Sequence, residues 1–395
     1  MEQLEKAFIQ NGGEWKNIFL DTLFIIQNNP QLNKDSFVFN EKAIYPYFTR
    51  TVLDNGIAGY VEYLDDEHKI NGNSIAVGML GMRFFYMETD FYAGQFTKTI
   101  FPKFDYFNKK IALYFISLLN KNQKIFQSVL VRDFEKIFNK TELTLPFING
   151  DIAFSFMERY IEELEAERIE ELEAYLTATG LKNYKLSQND VKSLDEFNEI
   201  VYSTPPKNNN KGSGVIQGRY WRKFQLKDLF EIKNTHNILS TEIVTDSGAT
   251  PYLCASAANN AVNSYIDYDE NFLETGNCIF IGGKTFVVTY QQNNFYSNDS
   301  HNLALYLKNA ETTELNQLSL VTCIYKNLRH KYTWNNSVSH AKILSDTIFL
   351  PVKNNEPDYA FMERFMIAVQ KLVIKDIVVW TNKKMEAYKK VVKMR

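Results

Sequence analysis

The chain has 395 residues and a formal net charge of −3, and 45% of its residues are hydrophobic and 14% aromatic. This composition excludes global disorder and supplies enough apolar residues for the cores of two domains of ordinary size. Three cysteines without C-x-x-C spacing exclude a disulfide framework, and the longest apolar runs are shorter than the roughly 18 residues of a membrane span. We therefore predict a cytoplasmic protein that does not enter membranes.

The most informative feature of the sequence is an internal duplication at a shift of about 205 residues. Residues 15–26 match residues 221–232 in their Trp, Leu and Leu-Phe positions, and residues 45–63 align without gaps with residues 250–268. Further matches follow in the same order: Gly72-Asn73 with Gly276-Asn277, Phe91-Tyr92 with Phe295-Tyr296, Leu145-Pro146 with Leu350-Pro351, and Phe156-Met157-Glu158-Arg159 with Phe361-Met362-Glu363-Arg364. The near-constant offset predicts two copies of one domain.

Within each copy the early elements are predicted to be short strands and the later ones helices. Runs rich in β-branched and aromatic residues, bounded by Gly, Asn or Asp, predict strands at 60–63, 74–77, 278–281 and 286–290. A helical period appears at 110–120 and at 315–328. Each copy is therefore predicted to be an α+β domain, mainly β with short helices.

Each copy is followed by a long amphipathic helix. Residues 154–178 contain neither Gly nor Pro, and residues 359–392 continue a similar apolar spacing, which predicts helices of roughly 40 to 50 Å. The first helix is strongly acidic and the second strongly basic. Opposite charge and facing apolar seams favour pairing of the two helices as a coiled coil, and the alternative is that each helix packs on its own domain.

These features divide the chain into five segments. We assign the first domain to residues 1–150, its long helix to 151–186, a linker to 187–220, the second domain to 221–352, and the last helix to 353–395. The linker rests on residues 204–214, which contain two prolines, three asparagines and two glycines.

The pattern resembles the specificity subunit of Type I restriction-modification systems across residues 15–392. The most specific shared elements are the Trp-x-x-x-x-Leu-x-x-Leu-Phe segment that begins each domain, the Pro-Tyr followed by an Asn-containing turn, and the Leu-Pro before each long helix. The resemblance implies two target recognition domains, each reading one half of a split DNA sequence. It also implies that the helices pair antiparallel, act as a spacer, and dock methyltransferase subunits.

The same resemblance implies the partners and the division of chemistry. The chain is expected to be non-catalytic and without a cofactor of its own, and to bind double-stranded DNA, two methyltransferase subunits and, through them, restriction/translocase subunits. S-adenosylmethionine belongs to the methyltransferase, and ATP and magnesium to the restriction subunit. Six residues near the starts of the long helices are expected to contact other subunits: Phe156, Met157, Arg159, Phe361, Met362 and Arg364.

A search for catalytic or metal-binding motifs supports the expectation of no chemistry in this chain. The Gly-Gly-Lys-Thr at 282–285 is similar to the end of a phosphate-binding loop, but Cys278 occupies the position where that motif needs its first glycine. The five histidines have no metal-ligand spacing, and neither a nucleophile elbow nor an Asn-Pro-Pro-Tyr motif is present. We therefore predict no catalytic residue and no metal site.

Polar side chains on predicted loops are the candidates for DNA recognition, because Arg suits guanine, Gln and Asn suit adenine, and Lys and Arg neutralise phosphate. The alternative for each is an ordinary exposed polar residue, and Asn55, like Asn260, could instead shape a turn. The candidates are Arg50, Thr51, Asn55, Arg83 and Lys98 in the first domain and Lys284, Gln291, Gln292, His301 and Lys331 in the second.

Two rival functions remain at this stage. The chain could be the DNA-recognition subunit of a Type IIB fused methyltransferase-nuclease, which has the same architecture. It could instead be a duplicated scaffold that binds proteins rather than DNA, which its nearly neutral charge would suit.

Overall fold

A computed structural model describes residues 1–129, 131–202, 220–308 and 313–393. One compact unit comprises Met1–Ala174 and the end of the chain from Lys383, and the second comprises Tyr175–Asn382. Each unit contains one copy of the duplicated domain.

The first domain contains three small sheets, ordered β2-β8-β5-β6, β4-β3-β7 and β1-β9-β10. Its elements, with the long helix that follows, are α1 (Glu2–Gln10), β1 (Glu14–Phe19), α2 (Leu20–Leu23), β2 (Phe24–Asn28), β3 (Tyr45–Phe48), β4 (Ile57–Val61), β5 (Ser74–Gly78), β6 (Arg83–Met87), β7 (Tyr92–Ala93), β8 (Thr97–Pro102), α3 (Lys109–Lys121), α4 (Gln123–Gln127), α5 (Phe134–Asn139), β9 (Glu142–Ile148), β10 (Asp151–Ile152) and α6 (Phe154–Ala178).

The second domain repeats these sheets in the same order, as β12-β18-β15-β16, β14-β13-β17 and β11-β19-β20. Its elements are α7 (Gln188–Tyr202), β11 (Tyr220–Gln225), α8 (Leu226–Leu229), β12 (Phe230–Asn234), β13 (Thr250–Leu253), β14 (Val262–Ile266), β15 (Cys278–Ile281), β16 (Val288–Gln291), β17 (Tyr296–Ser297), β18 (Leu303–Leu307), α9 (Glu314–Leu328), α10 (His340–Ile343), β19 (Thr347–Lys353), β20 (Glu356–Pro357) and α11 (Tyr359–Lys393). The predicted duplication and α+β class are confirmed.

The repeated sequence motifs correspond to repeated contacts. Trp15 pairs with Pro146 across β1 and β9, and Trp221 pairs with Pro351 across β11 and β19. The Trp segment and the Leu-Pro segment of each domain are therefore adjacent strands. The tyrosine of each Pro-Tyr makes the same hydrogen bond in both domains. The hydroxyls of Tyr47 and Tyr252 donate to backbone carbonyls in the preceding loop at 3.0 and 2.7 Å.

The main core of each domain lies between its four-stranded sheet and one helix. Phe115 of α3 packs edge-to-face against Phe24 of β2, with ring centroids 5.0 Å apart. In the second domain α9 buries Leu320 and Ile324 in the corresponding core. Both helices begin with a side-chain cap: Asn108 accepts hydrogen bonds from the first turn of α3, and Thr313 does so for α9.

Most predicted elements are confirmed, with two strands at shifted bounds. The long helix α6 spans the predicted residues 154–178, and α11 begins at the predicted residue 359. The wider segments 151–186 and 353–395 are not helical throughout, because they also contain β10, the non-helical residues 179–186, and β20. β4 ends at Val61 rather than residue 63, and β16 begins at Val288 rather than residue 286. The second difference has a local cause, because Phe286 has a φ of 52° and belongs to the turn before the strand.

The assignment of residues 187–220 to a linker is wrong over residues 188–202, which form α7. The start of α7 is a capping box, in which the Ser187 amide donates to the Asp190 carboxylate at 2.7 Å and the Asp190 amide donates to the Ser187 hydroxyl at 3.2 Å. The Pro- and Asn-rich stretch at 204–214 lies outside the described residues.

α7 is the counterpart of α1, so the duplication extends further than the sequence comparison indicated. Phe8 of α1 contacts Phe156 and Trp15, with ring centroids 4.3 and 5.8 Å apart. Phe197 of α7 makes similar contacts at 4.2 and 6.1 Å with Phe365 and Trp221, although Phe365 lies one helical turn beyond Phe361, the counterpart of Phe156. A short helix therefore joins the Trp strand to the long helix in both repeats.

An ion pair fastens each short helix to its long helix, with opposite polarity in the two repeats. The Met1 amino group lies 3.4 Å from the Glu163 carboxylate of α6. In the second repeat the Lys371 ammonium of α11 donates to the Asp190 carboxylate at 2.6 Å. Burial by itself would raise the pKa of Asp190, but the hydrogen bonds from Lys371 and Ser187 lower it below its ordinary value.

Candidate nucleic-acid interface

Three segments of the first domain meet at the β5–β6 turn and form what we call the first loop site. These are the loop 49–56 after β3, the turn 79–82, and the segment 94–96 before β8. The Met79 amide donates to the Phe96 carbonyl at 2.9 Å. A Cβ added at Gly78 would lie 2.8 Å from Cα of Arg50, so only glycine allows the loop to approach the hairpin this closely.

The second domain brings together the corresponding segments, which we call the second loop site. These are the loop 254–261 after β13, the turn 282–287, and the segment 298–302 before β18. The Thr285 hydroxyl donates to the Ala255 carbonyl at 2.8 Å, and a Cβ added at Gly282 would lie 2.9 Å from Cα of Ala255. Gly282 thus has the same role as Gly78, which explains the Gly-Gly-Lys-Thr segment without any phosphate-binding loop.

The second loop site carries a linked group of charges. The Asp299 carboxylate accepts from the amide and imidazole of His301 at 2.9 and 2.8 Å, and the Lys284 ammonium lies 3.8 Å away. Burial by itself would raise the pKa of Asp299, but the His301 hydrogen bonds and the Lys284 charge lower it below its ordinary value. Lys284 and His301 both remain more than half exposed at 55% and 71%, so they are accessible to an anionic ligand.

All five predicted DNA-binding residues of the first domain lie at or beside the first loop site, and Asn55 belongs to its first loop. Arg50 and Thr51 belong to its first loop. Arg83 is exposed at the start of β6, opposite Gly78. Lys98 of β8 is half-buried, and its ammonium donates to the Asn28 side chain. The structure therefore brings these residues together, and their contact with DNA stays a prediction.

Asn55 and Asn260 form the same tight turn in the two domains. Their φ angles are 54° and 52°, in the left-handed region that asparagine tolerates better than most residues. The Asn260 amide also donates to the Tyr290 carbonyl at 3.0 Å. The need for a left-handed turn explains why both domains have asparagine at this position. Asn55 is also exposed, so its contact with DNA stays a prediction.

Gln291 was wrongly predicted to reach DNA. It is only 4% exposed, and its amide donates to the Asn260 carbonyl at 2.9 Å and to the Thr289 hydroxyl at 2.8 Å. Its side chain therefore holds the Asn260 turn. Gln292 is exposed, but it follows the end of β16 that is remote from the turn 282–287.

Lys331 is a poor candidate for phosphate neutralisation. Its ammonium forms a hydrogen-bonded ion pair with Asp346, whose side chain is only 5% exposed and also accepts from the Tyr332 hydroxyl. Because the Asp346 carboxylate is buried, loss of the Lys331 cation would leave an uncompensated charge in the protein interior. The lysine charge is thus already compensated.

Four of the six residues expected to contact other subunits are buried in their own domains, so that expectation is wrong for them. Phe156 and Met157 are 6% and 0% exposed, and Phe361 and Met362 are 1% and 2% exposed. The Phe-Met pair lies in the first turn of each long helix, where both side chains pack into the domain. Arg159 and Arg364 are exposed.

Other reactive groups give no sign of a catalytic centre. Burial raises the pKa of Cys278 and of Cys323 to about 12, so neither thiol is prepared to act as a nucleophile. Among the residues that the structure describes, no group of three or more metal-ligating side chains occurs, and no helix has the length and apolar content of a membrane span.

Two copies of one α+β domain, each with a polar loop site and each followed by a long helix, define a duplicated recognition protein. The chain belongs to the family of the Type I restriction modification DNA specificity domain, whose model matches residues 12–174 and 219–375. Members of this family are the non-catalytic specificity subunits of restriction-modification systems. The chain is therefore a DNA specificity subunit with two recognition domains, and the family does not favour the scaffold alternative.

The chain is similar to several individual proteins. The chain is 21% identical over 373 residues to the specificity subunit of the Type II restriction enzyme BgcI of Heyndrickxia coagulans, covering 91% of this chain and 96% of that one. It is also similar to the crystal structure of a Type I S subunit from M. genitalium, with 15% identity, coverage of 97% and 95%, and a TM-score of 0.47. The HsdS subunit of Thermoanaerobacter tengcongensis matches with 11% identity, coverage of 93% and 91%, and a TM-score of 0.30.

Proposed function

We propose that the chain reads a bipartite DNA target for a Type I restriction-modification complex, with one half-site for each loop site. The observation that carries the proposal is that the two sites share a backbone arrangement but differ in exposed side chains. Arg50 of the first site corresponds to Ala255 of the second, whereas the second site has Lys284 and His301. One scaffold with two sets of side chains suits two different half-sites.

The long helices are proposed to pair antiparallel and to set the distance between half-sites. Within the first unit, the end of α11 lies beside the middle of α6: Lys384 and Tyr388 line one cleft with Glu163, Glu167 and Glu170. A basic segment of one helix beside an acidic segment of the other supports pairing of the two helices.

The remaining parts of the proposal concern partners. The helices dock two methyltransferase subunits, and restriction/translocase subunits join through them. S-adenosylmethionine, ATP and magnesium are used by those partners, and this chain holds no cofactor. The complex acts in the cytoplasm, where the reduced state of the three cysteines is maintained.

The test is selection from a pool of random-sequence DNA duplexes by the chain assembled with its methyltransferase subunit. We expect enrichment of two short sequences separated by a gap of fixed length, and binding that weakens steeply with salt because phosphate contacts release counterions. The chain alone, assayed in parallel, should bind weakly and methylate nothing. Enrichment of no sequence, or methylation by the chain alone, would contradict the proposal.

A further inference from the structure

At or beside each loop site lies an exposed aromatic side chain with a cation over its ring. Trp334 is 69% exposed, and the Lys284 ammonium lies 6.0 Å from the centre of its indole. Phe96 is 43% exposed, and the Arg50 guanidinium lies 5.6 Å from the centre of its ring. Exposed aromatic side chains also occur elsewhere on the surface, so what distinguishes this pair is its position at the candidate interface with a cation beside each ring.

The segment that holds Trp334 is firmly anchored on both sides. Before it, Tyr332 stacks on Phe286 with ring centroids 5.0 Å apart, and its hydroxyl donates to buried Asp346. After it, the Val338 amide donates to the Gly283 carbonyl at 3.1 Å. The exposed tryptophan is thus attached to the β15–β16 turn, which carries Lys284, and its position costs little further ordering upon binding.

The turn at Trp334 is itself closed. Thr333 and Asn336 are bridged by backbone hydrogen bonds in both directions, at 3.2 and 2.9 Å, and the Asn336 side chain donates to the Lys331 carbonyl at 2.9 Å. Trp334 therefore lies at the tip of a small closed loop. This explains how a single aromatic residue is held away from the core.

Phe96 reaches the first loop site by a different route. Its φ is 58°, a left-handed conformation that is a genuine outlier for a bulky aromatic residue. Such strain concentrates at functional positions, where the surrounding structure holds it in place. Here the hydrogen bond from Met79 to the Phe96 carbonyl, 2.9 Å long, fixes the residue beside the β5–β6 turn.

We propose that Trp334 and Phe96 are DNA-contact residues, each placing its ring against deoxyribose or a thymine methyl group while the paired cation contacts a phosphate. This inference rests on the proposed function and deepens it. Apolar contact with the thymine methyl group is a direct means of base recognition, and the positive charge of Lys or Arg neutralises the DNA phosphates. Because the two rings come from different loops, each contributes to its own half-site.

The experiment compares Trp334→Ala and Phe96→Ala with the wild-type chain, each assembled with the methyltransferase subunit and selected against random-sequence duplexes. Trp334→Ala should lower affinity for the wild-type target about tenfold, roughly 1.4 kcal/mol, and relax only the second half-site. Phe96→Ala should relax only the first. Trp334→Phe, which retains an aromatic ring, should recover part of the affinity.

Phe349→Ala is the matched control. Phe349 is 39% exposed with the Lys223 ammonium 5.3 Å from its ring centre, but it lies on the β11–β19–β20 sheet rather than in a loop site. Affinity and both half-sites should be unchanged in this variant, and the melting temperatures of the Trp334 variants should match wild type.

The outcomes separate this inference from the proposed function. If the wild-type complex selects no sequence, the proposed function fails. If it selects a two-part target and both alanine variants keep the same target and affinity, only the aromatic contacts are overturned. An equal loss of affinity in Phe349→Ala would also overturn them, because the effect would then not be specific to the loop sites.

Discussion

The two recognition domains agree where the backbone of the loops is held together and differ where side chains face solvent. Gly78 and Gly282 make the same close approach, and Asn55 and Asn260 form the same left-handed turn. By contrast, Arg50 has Ala255 at the matching position of its loop. A position that is identical in both domains cannot distinguish two half-sites, so we expect shared residues to affect folding and unshared residues to affect sequence preference.

The largest effect is expected at the shared glycines. Gly78→Val or Gly282→Val forces new side-chain atoms against the backbone of the facing loop, which must move, at a cost of about 3 kcal/mol in stability. Urea unfolding of the purified chain measures this cost, and methylation of the bipartite target should be lost.

Gly81→Ala is the control for Gly78→Val. Its added Cβ would meet only the end of the Val52 side chain, at 2.7 Å, and Val52 is 53% exposed and able to rotate away. The loss of stability should therefore be small. An equal loss in both variants would mean that close approach of the backbones is not what holds the loops.

A smaller effect should distinguish the two short helices. Asp190→Asn removes one partner of the buried Lys371–Asp190 pair and should lower stability at pH 7 by about 1.5 kcal/mol, as expected for a hydrogen bond to a charged group. Glu163→Gln, which affects the more exposed pair with the Met1 amino group, should cost less.

The loss in Asp190→Asn should depend on pH in a defined direction. The pKa of Asp190 is lowered in the folded chain, so its stabilising contribution is present above the unfolded pKa of about 3.9 and is lost as pH falls through the folded value. The difference between wild type and Asp190→Asn in urea unfolding should shrink below about pH 4. A difference that stays constant down to acid pH would contradict the ion-pair interpretation.

The smallest effect is expected at the shared asparagines. Asn55→Ala and Asn260→Ala place a residue with a Cβ and no local hydrogen bonding in the left-handed region, at a cost of about 1 kcal/mol in each domain. Asn55→Gly should keep wild-type stability. If Asn55→Ala instead left stability unchanged and altered the first half-site, Asn55 would be a DNA-reading residue as the sequence first suggested.

Much of the architecture was predictable because the same segments occur in the same order in both repeats, so each repeat supports the prediction made for the other. The Trp, Pro-Tyr and Leu-Pro segments align in order, and the absence of Gly and Pro from residues 154–178 defines α6 correctly. α7 was missed although Ser187 and Asp190 have capping-box spacing, since the adjoining Pro- and Asn-rich stretch suggested a linker throughout. Its counterpart α1 contains Phe8, whose match to Phe197 does not follow the offset of about 205 residues.

The site was less predictable because exposure depends on tertiary contacts. Gln291 is a polar residue near a predicted turn, but the fold buries it beneath the Asn260 turn. Lys331 is neutralised by Asp346, which no local pattern connects with it. Trp334 lies two residues after Tyr332 in a largely polar run, and its exposure follows only from the anchoring of both flanks of its loop.

The most direct test of the account replaces the second recognition domain with a copy of the first. Residues 14–148, from the start of β1 to the end of β9, would take the place of residues 220–353, from the start of β11 to the end of β19. The chimera would be expressed with its methyltransferase subunit, and modified bases mapped across the host genome. We expect a target in which the first half-site occurs twice and the original second half-site is absent. Retention of the original second half-site would contradict the claim that each domain reads its own half of the DNA.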